Sequence, residues 1–92
     1  MSAEIRQALS FEGRVQGVGF RYKTFYLAQK YGLTGWVQNE YDGSVSAQIQ
    51  GQETQIDMVI QALYNDRYIR IDWISRRNIP LEQNERGFSM RN

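Results

Sequence analysis

An α+β sandwich, with two helices covering one face of an antiparallel sheet, is the fold class this sequence predicts. Three observations lead there. Strand-type and helix-type apolar periods succeed one another in the order β-α-β-β-α-β, with room for a short fifth strand at the end. The clearest strand patterns have one apolar and one polar side, so only one face of the sheet calls for helices. Finally, 92 residues, 41% of them hydrophobic and 13% aromatic, fill one core and leave no material for a second. A single domain over residues 1–92 is expected.

The first strand is expected from Ile5 to Val15. Its odd positions are mostly apolar (Ile5, Leu9, Phe11, Val15) and its even ones mostly polar (Arg6, Ser10, Glu12, Arg14). A helix follows from Arg21 to Tyr31, with Gly32 as its stop. Thr24, Leu27, Ala28 and Tyr31 share one face of it. Tyr22, Phe25 and Tyr26 form a second stripe, which the pattern leaves open between core and partner surface.

Leu33 to Glu40 and Ser44 to Gly51 read as a strand pair joined by a hairpin at Asp42-Gly43, a dipeptide whose two positions both tolerate positive φ. Thr54 opens the second helix, with Asp57 at capping-box spacing. Ile56, Val59, Ile60 and Leu63 form its apolar stripe. The fourth strand is expected from Tyr68 to Ser75, with Ile69, Ile71 and Trp73 on one face. Pro80 falls in the loop after it, and Gly87 to Met90 offers a short last strand. The succession is the ferredoxin-like layout, which hosts many unrelated activities.

Composition excludes several kinds of chemistry. Without cysteine there is no disulfide and no thiolate nucleophile. Without histidine the usual proton shuttle is missing, and only carboxylates and carbonyls remain as metal ligands, so no metal is expected. Eleven basic and ten acidic residues give a net charge of +1, too balanced for a nucleic-acid partner held by bulk electrostatics. RNA binding on the open sheet face would use Trp36, Tyr68 and Trp73 for stacking, but it lacks the basic surround. No apolar run reaches transmembrane length, and the first twenty residues have no signal-peptide core. A cytoplasmic protein with no membrane partner is expected.

The stretch GRVQGVGFR, Gly13 to Arg21, allows two readings. In one, its glycines bend the chain from strand into helix, and Arg21 is a solvated first-turn residue. In the other, successive loop N–H groups converge on an anion, joined by the unsatisfied N–H groups of the helix start. A cation in a first turn opposes the helix dipole unless an anion sits beside it. The forked donors of arginine also match phosphate oxygens. Other phosphate motifs are absent. Tyr22 stands where a dinucleotide fingerprint begun at Gly17 needs glycine, and no Gly-Lys-Ser/Thr triplet occurs. In GLTGWVQNEYDGSV, Gly32 to Val45, Trp36 and Gln38 share one side of the strand, Val37 and Asn39 the other. Asn39 either bonds its own backbone near the hairpin or presents its amide to a site.

Together the two segments resemble the acylphosphatase family. Gly13, Val15, Gln16, Gly17, Val18, Phe20 and Arg21 match the family's glycine-rich run, and Ala28 its first-helix alanine. Gly35, Trp36, Val37 and Asn39 match its second motif, Asp42, Gly43 and Val45 its hairpin, and Gly51 the end of its third strand. The resemblance runs from about Ile5 to the region of Phe88. The chain departs from it at NDRYIR, where many members carry glycine–proline, and at Ser46, where many carry an acid.

The resemblance implies a ferredoxin-like enzyme that hydrolyses acyl phosphates without metal or cofactor. Backbone N–H groups of Gln16, Gly17, Val18, Gly19 and Phe20 would bind the phosphate, Arg21 would grip its oxygens, and Asn39 would position the attacking water. Arg21 and Asn39 are then the catalytic residues, and inorganic phosphate is both product and competitive inhibitor. A monomer is the expected state. The rival reading is a module of the same fold that binds the anion but catalyses little.

Overall fold

The computed structural model describes residues 3–92; positions 1 and 2 of the expected domain lie outside the described residues. The elements in chain order are β1 (Glu4–Arg14), α1 (Phe20–Lys30), β2 (Thr34–Asn39), β3 (Val45–Gln52), α2 (Glu53–Tyr64), β4 (Arg70–Ile79) and β5 (Phe88–Met90). They form the expected ferredoxin-like fold, on a five-stranded sheet in the order β4-β1-β3-β2-β5.

The core follows from alternation on the strands and helical spacing on α1 and α2. Leu9 and Phe11 of β1, Val37 of β2, and Val45, Ala47 and Ile49 of β3 are buried against Leu27 and Ala28 of α1. Ile56, Val59, Ile60 and Leu63 of α2 complete that core. Phe11 and Phe20 meet edge to face with ring centroids 4.8 Å apart, an arrangement favoured by the ring quadrupoles. Phe20 is the first residue of α1, so this contact fixes where the helix starts relative to β1. At its other end α1 closes in a Schellman motif. Leu33 N–H donates to the Ala28 carbonyl at 2.8 Å and Gly32 N–H to that of Gln29 at 3.2 Å.

Four details differ from the sequence reading. The sheet is mixed, because β5 joins β2 in parallel whereas the other pairings are antiparallel. The segment from Pro80 to Gly87 crosses from one edge of the sheet to the other and delivers β5 in that direction. Secondly, α2 begins at Glu53 with Gln52 as its N-cap and no side-chain cap. β3 runs straight into the helix, so Thr54 is already inside the first turn and cannot cap it. Thirdly, only Gly43 takes a positive φ in the β2–β3 turn. Asp42 stays outside that region and instead accepts from Ser44 N–H at 3.0 Å and Ser44 Oγ at 2.7 Å.

The fourth difference lies in β4. Glu12 pairs with Trp73 but Gly13 with Ile71, so Asp72 is an extra residue in the ladder. The bulge reverses the alternation. Ile69 is buried and Ile71 half-buried on the core side, whereas Trp73 turns to solvent and Ile74 takes the inward place. β4 also runs on to Ile79, ending where Pro80 has no N–H to give the ladder.

The face of the sheet away from the helices is partly closed. Arg6, on the polar side of β1, is only 2% exposed. Its guanidinium donates to Glu85 at 2.6 and 3.1 Å, to Gln48 at 3.0 Å and to Gln50 at 3.2 Å. Gln50 also exchanges hydrogen bonds with the backbone of Glu82. The crossing segment is thus strapped over the sheet by a charge pair that burial makes costly to break. The Arg6 guanidinium holds the Glu85 carboxyl below the usual glutamate value of 4.5. A depressed carboxylate pKa adds stability that is present above the unfolded value and fades as pH falls through the folded one. Stability should therefore decline below about pH 4.5 in the wild type. Glu85→Ala should lose about 2 kcal/mol or more at neutral pH and show a shallower acid decline, both measurable by urea denaturation at a series of pH values. Equal stability of the two proteins at pH 7 would remove the strap from the account.

Candidate active site

Three strand ends converge at one edge of the sheet. β1 and β2 both pair antiparallel to β3, so they run in the same direction, and β5 runs parallel to β2. Their C-terminal ends, at Arg14, Asn39 and Met90, therefore share an edge. The loop that leaves β1 there is the glycine-rich stretch, and it leads directly into α1.

The backbone of that loop is left-handed at Gly17 (φ 74°) and at Gly19 (φ 80°), the N-cap of α1. A side chain at either place would sit in a conformation that costs L-residues roughly 1–2 kcal/mol. Among the described residues, no protein acceptor takes a hydrogen bond from the N–H groups of Gln16, Gly17, Val18 or Gly19. The first-turn N–H groups of α1 lack partners by helix geometry. No side chain caps this end, and its first turn holds no acid. A row of unpaired donors results.

The loop is held instead by a side chain. Gln16 Nε2 donates to the carbonyls of Glu40 and Ser44, each at 2.8 Å. These two residues also close the β2–β3 turn, since Glu40 N–H donates to the Ser44 carbonyl at 2.8 Å. One amide thereby lashes the loop to the turn and brings Asn39, next to Glu40, alongside it. Sequence reasoning assigned Gln16 only a backbone role and missed this tether, which a half-buried glutamine gives no local pattern to reveal.

Gly17, Gly19, Phe20, Arg21 and Asn39 line one concavity of about 220 Å³, together with Val15, Tyr22 and Met90. Gln16 and Val18 do not line it. Val18 borders a second concavity, of about 380 Å³, with Arg14, Gly17, Arg67 and Tyr68. Two of the expected substrate-binding positions thus sit behind or beside the loop rather than in its hollow, while the two expected catalytic residues share the hollow.

Arg21 has no carboxylate partner among the described residues. Its Nη1 donates to the backbone carbonyl of Arg91. Arg91 is itself fixed twice, by its N–H to the Val37 carbonyl at 2.8 Å and by its guanidinium lying 4.3 Å from the Trp36 ring centroid. The Arg21 charge therefore stands uncompensated at a helix N-terminus, where the dipole already favours anions. The Asn39 carboxamide makes no hydrogen bond within the described residues, which removes the local-backbone reading for it. The aromatic stripe on α1 divides. Phe25 packs on the core, whereas Tyr22 and Tyr26 are 70% and 62% exposed.

A family model described as Acylphosphatase matches residues 7–90. The chain is 35% identical to an acylphosphatase of Clostridium acetobutylicum over 86 residues, 92% of this chain and 94% of the relative. It is 53% identical to one of Acaryochloris marina over 49 residues, so that alignment spans about half the relative's length (53%). The crystal structure of acylphosphatase from Bacillus subtilis superposes with a TM-score of 0.85 at 32% identity, covering 94% of this chain and 97% of that one.

The tether makes a separate expectation. Gln16→Ala removes two hydrogen bonds from a half-buried site and should cost roughly 1–2 kcal/mol, a fall in Tm of about 4–10 °C for a domain of this size. Gln16→Glu should cost more, because a carboxylate would face two carbonyl oxygens. Thermal melts that place both variants at the wild-type Tm would contradict the tether.

Proposed function

This chain belongs to the acylphosphatase family, and on that footing we propose that it hydrolyses the carboxyl–phosphate bond of acyl phosphates, releasing a carboxylate and inorganic phosphate. One observation carries the reading. Unpaired loop amides, an arginine without a carboxylate partner and an unbonded carboxamide meet in a single concavity.

Each part meets one demand of the reaction. Phosphoryl transfer asks chiefly for positioning and for stabilisation of charge on the phosphoryl oxygens. The N–H groups of Gly17, Gly19 and Phe20, the loop residues that line the hollow, supply donors that need no reorganisation, because no protein acceptor competes for them. Arg21 adds a forked cation, already steered by the Arg91 carbonyl. Asn39 orients a water against phosphorus; its amide takes no proton near neutral pH, so it acts by position.

The step balances without an enzyme acid or base. Water oxygen forms the new bond to phosphorus as the bond to the acyl oxygen breaks. The carboxylate departs with that electron pair, and the water proton passes to a phosphate oxygen. A carboxylate is a stable anion at neutral pH and needs no proton on leaving, which suits a chain without histidine. Inorganic phosphate, the product, competes for the same donors.

The direct test is phosphate release from a small aromatic acyl phosphate by the wild type and by Arg21 variants side by side. Arg21→Ala should abolish measurable turnover and weaken inhibition by inorganic phosphate. Arg21→Lys should recover little of either, since it restores charge without the fork. Full activity in Arg21→Ala would refute the assignment. Asn39→Ala should lower kcat by roughly a hundredfold while phosphate still inhibits at wild-type concentrations. If inhibition vanished along with turnover, Asn39 would be a phosphate ligand rather than a water-positioning group.

A further inference from the structure

We propose that the chain has a second anion site, next to the glycine-rich loop, which takes a polyphosphate: pyrophosphate or the diphosphate of a nucleotide. The site is the concavity of about 380 Å³ bordered by Arg14, Gly17, Val18, Arg67 and Tyr68. It lies outside the hollow of Arg21 and Asn39 and shares only Gly17 with it.

The fold brings its parts together. Arg14 ends β1 and pairs in the sheet with Arg70, which starts β4. The turn between α2 and β4 therefore returns beside the loop that leaves β1, and sets Arg67 and Tyr68 there. Asp66 fixes that turn. One of its carboxylate oxygens accepts from Lys23 Nζ of α1 at 2.8 Å, the other from Tyr68 N–H at 2.8 Å. The Arg67 guanidinium lies 5.5 Å from the Tyr68 ring centroid, a contact that gives it a preferred place. This turn belongs to the stretch NDRYIR, where the chain departs from the glycine–proline of many family members. Arg67 and Tyr68 are thus not supplied by the family pattern.

Charge sets the class of ligand. No carboxylate lines the concavity. The acids closest to it along the chain are engaged elsewhere, Asp66 by Lys23 at 2.8 Å and Asp72 by Arg70 at 3.0 Å. Glu12 borders a different depression, with Asp42. Among the described residues, neither Arg14 nor Arg67 has a salt bridge. Two uncompensated guanidiniums around one concavity repel each other, and an anion that bonds both relieves the repulsion. Two linked phosphates offer each forked donor its own pair of oxygens. Tyr68, 66% exposed, presents a ring on which a nucleobase can stack. The volume is within the range usual for small-molecule sites. An occupant here touches the loop at Gly17 and Val18 and leaves Arg21 and Asn39 free.

Titration calorimetry tests the site without reference to turnover. Pyrophosphate and ADP are titrated into the wild type, Arg21→Ala, Arg14→Gln, Arg67→Gln, the Arg14→Gln/Arg67→Gln pair, Tyr68→Ala and Arg86→Gln. Arg86 is an exposed arginine that lines neither concavity and controls for bulk charge. Pyrophosphate binding should survive Arg21→Ala, stay unchanged in Arg86→Gln and weaken by roughly tenfold or more in the pair. Each single variant should show part of that loss, so the result stands even if the pair fails to fold. ADP binding tighter than pyrophosphate, with the excess lost in Tyr68→Ala, identifies a nucleotide as the ligand. Equal or weaker ADP binding identifies inorganic pyrophosphate. Absence of binding to Arg21→Ala, wild-type affinity in the Arg14 and Arg67 variants, or an equal loss in Arg86→Gln each overturns the proposal. None of these results touches the hydrolase reading, which phosphate release tests separately.

Discussion

The site depends on backbone donors that the fold leaves without acceptors. Between β1 and α1, the N–H groups of Gln16 to Gly19 find no partner in the protein, and the first turn of α1 adds more. Unpaired amides are ordinarily satisfied by secondary structure or by water. Here both loop glycines take left-handed φ, which turns the chain into the helix without closing a turn bond inside the loop. The rigidity that a backbone ladder would give comes from elsewhere. Gln16 reaches sideways to two carbonyls of the β2–β3 turn, and Phe20 anchors the far end against Phe11. A loop fixed by its side chains keeps its amides available.

Arg21 obeys the same logic. A lone cation at a helix N-terminus is an unfavourable placement, and a neighbouring carboxylate would relieve it at the cost of neutralising the charge. The protein uses a neutral partner, the Arg91 carbonyl, which orients the guanidinium and leaves its charge intact. That carbonyl depends on β5, whose parallel pairing with β2 sets Arg91 beside Trp36 and Val37. The last strand and the crossing segment strapped by Arg6 and Glu85 thus belong to the architecture of the hollow.

What the sequence made legible, and what it hid, divides along physical lines. Element type and order were readable because they rest on local periods: Ile56, Val59, Ile60 and Leu63 can line one face of a helix, and Val45, Ala47 and Ile49 one face of a strand. Gly32 as the end of α1 was readable for the same reason. The direction of β5 was not, since three residues carry no signal about which neighbour they join. The inward turn of Ile74 was hidden too, because it depends on a bulge opposite Gly13, created by pairing across the sheet. Arg6 looked like an ordinary polar residue of a wet face, and its burial comes from a segment more than seventy residues away (|i−j| = 79 to Glu85). In the site, Arg21 and Asn39 stood out through their motifs. The tether by Gln16 did not, because it joins elements that meet only in three dimensions.

The bulge at Asp72 also shapes the free border of the sheet. β4 is ten residues long and stands at the border of the sheet, with one row of amides and carbonyls unclaimed. A straight strand of that length invites a neighbouring chain to zip onto it, the first step toward sticky, amyloid-like association. The extra residue kinks the ribbon, and its arginines are largely spoken for: Arg70 pairs with Asp72 at 3.0 Å and Arg76 with Asp57 at 2.6 Å. A second strand laid along this border would meet a ladder put out of step at Asp72, the geometry by which a bulge blunts edge-to-edge pairing.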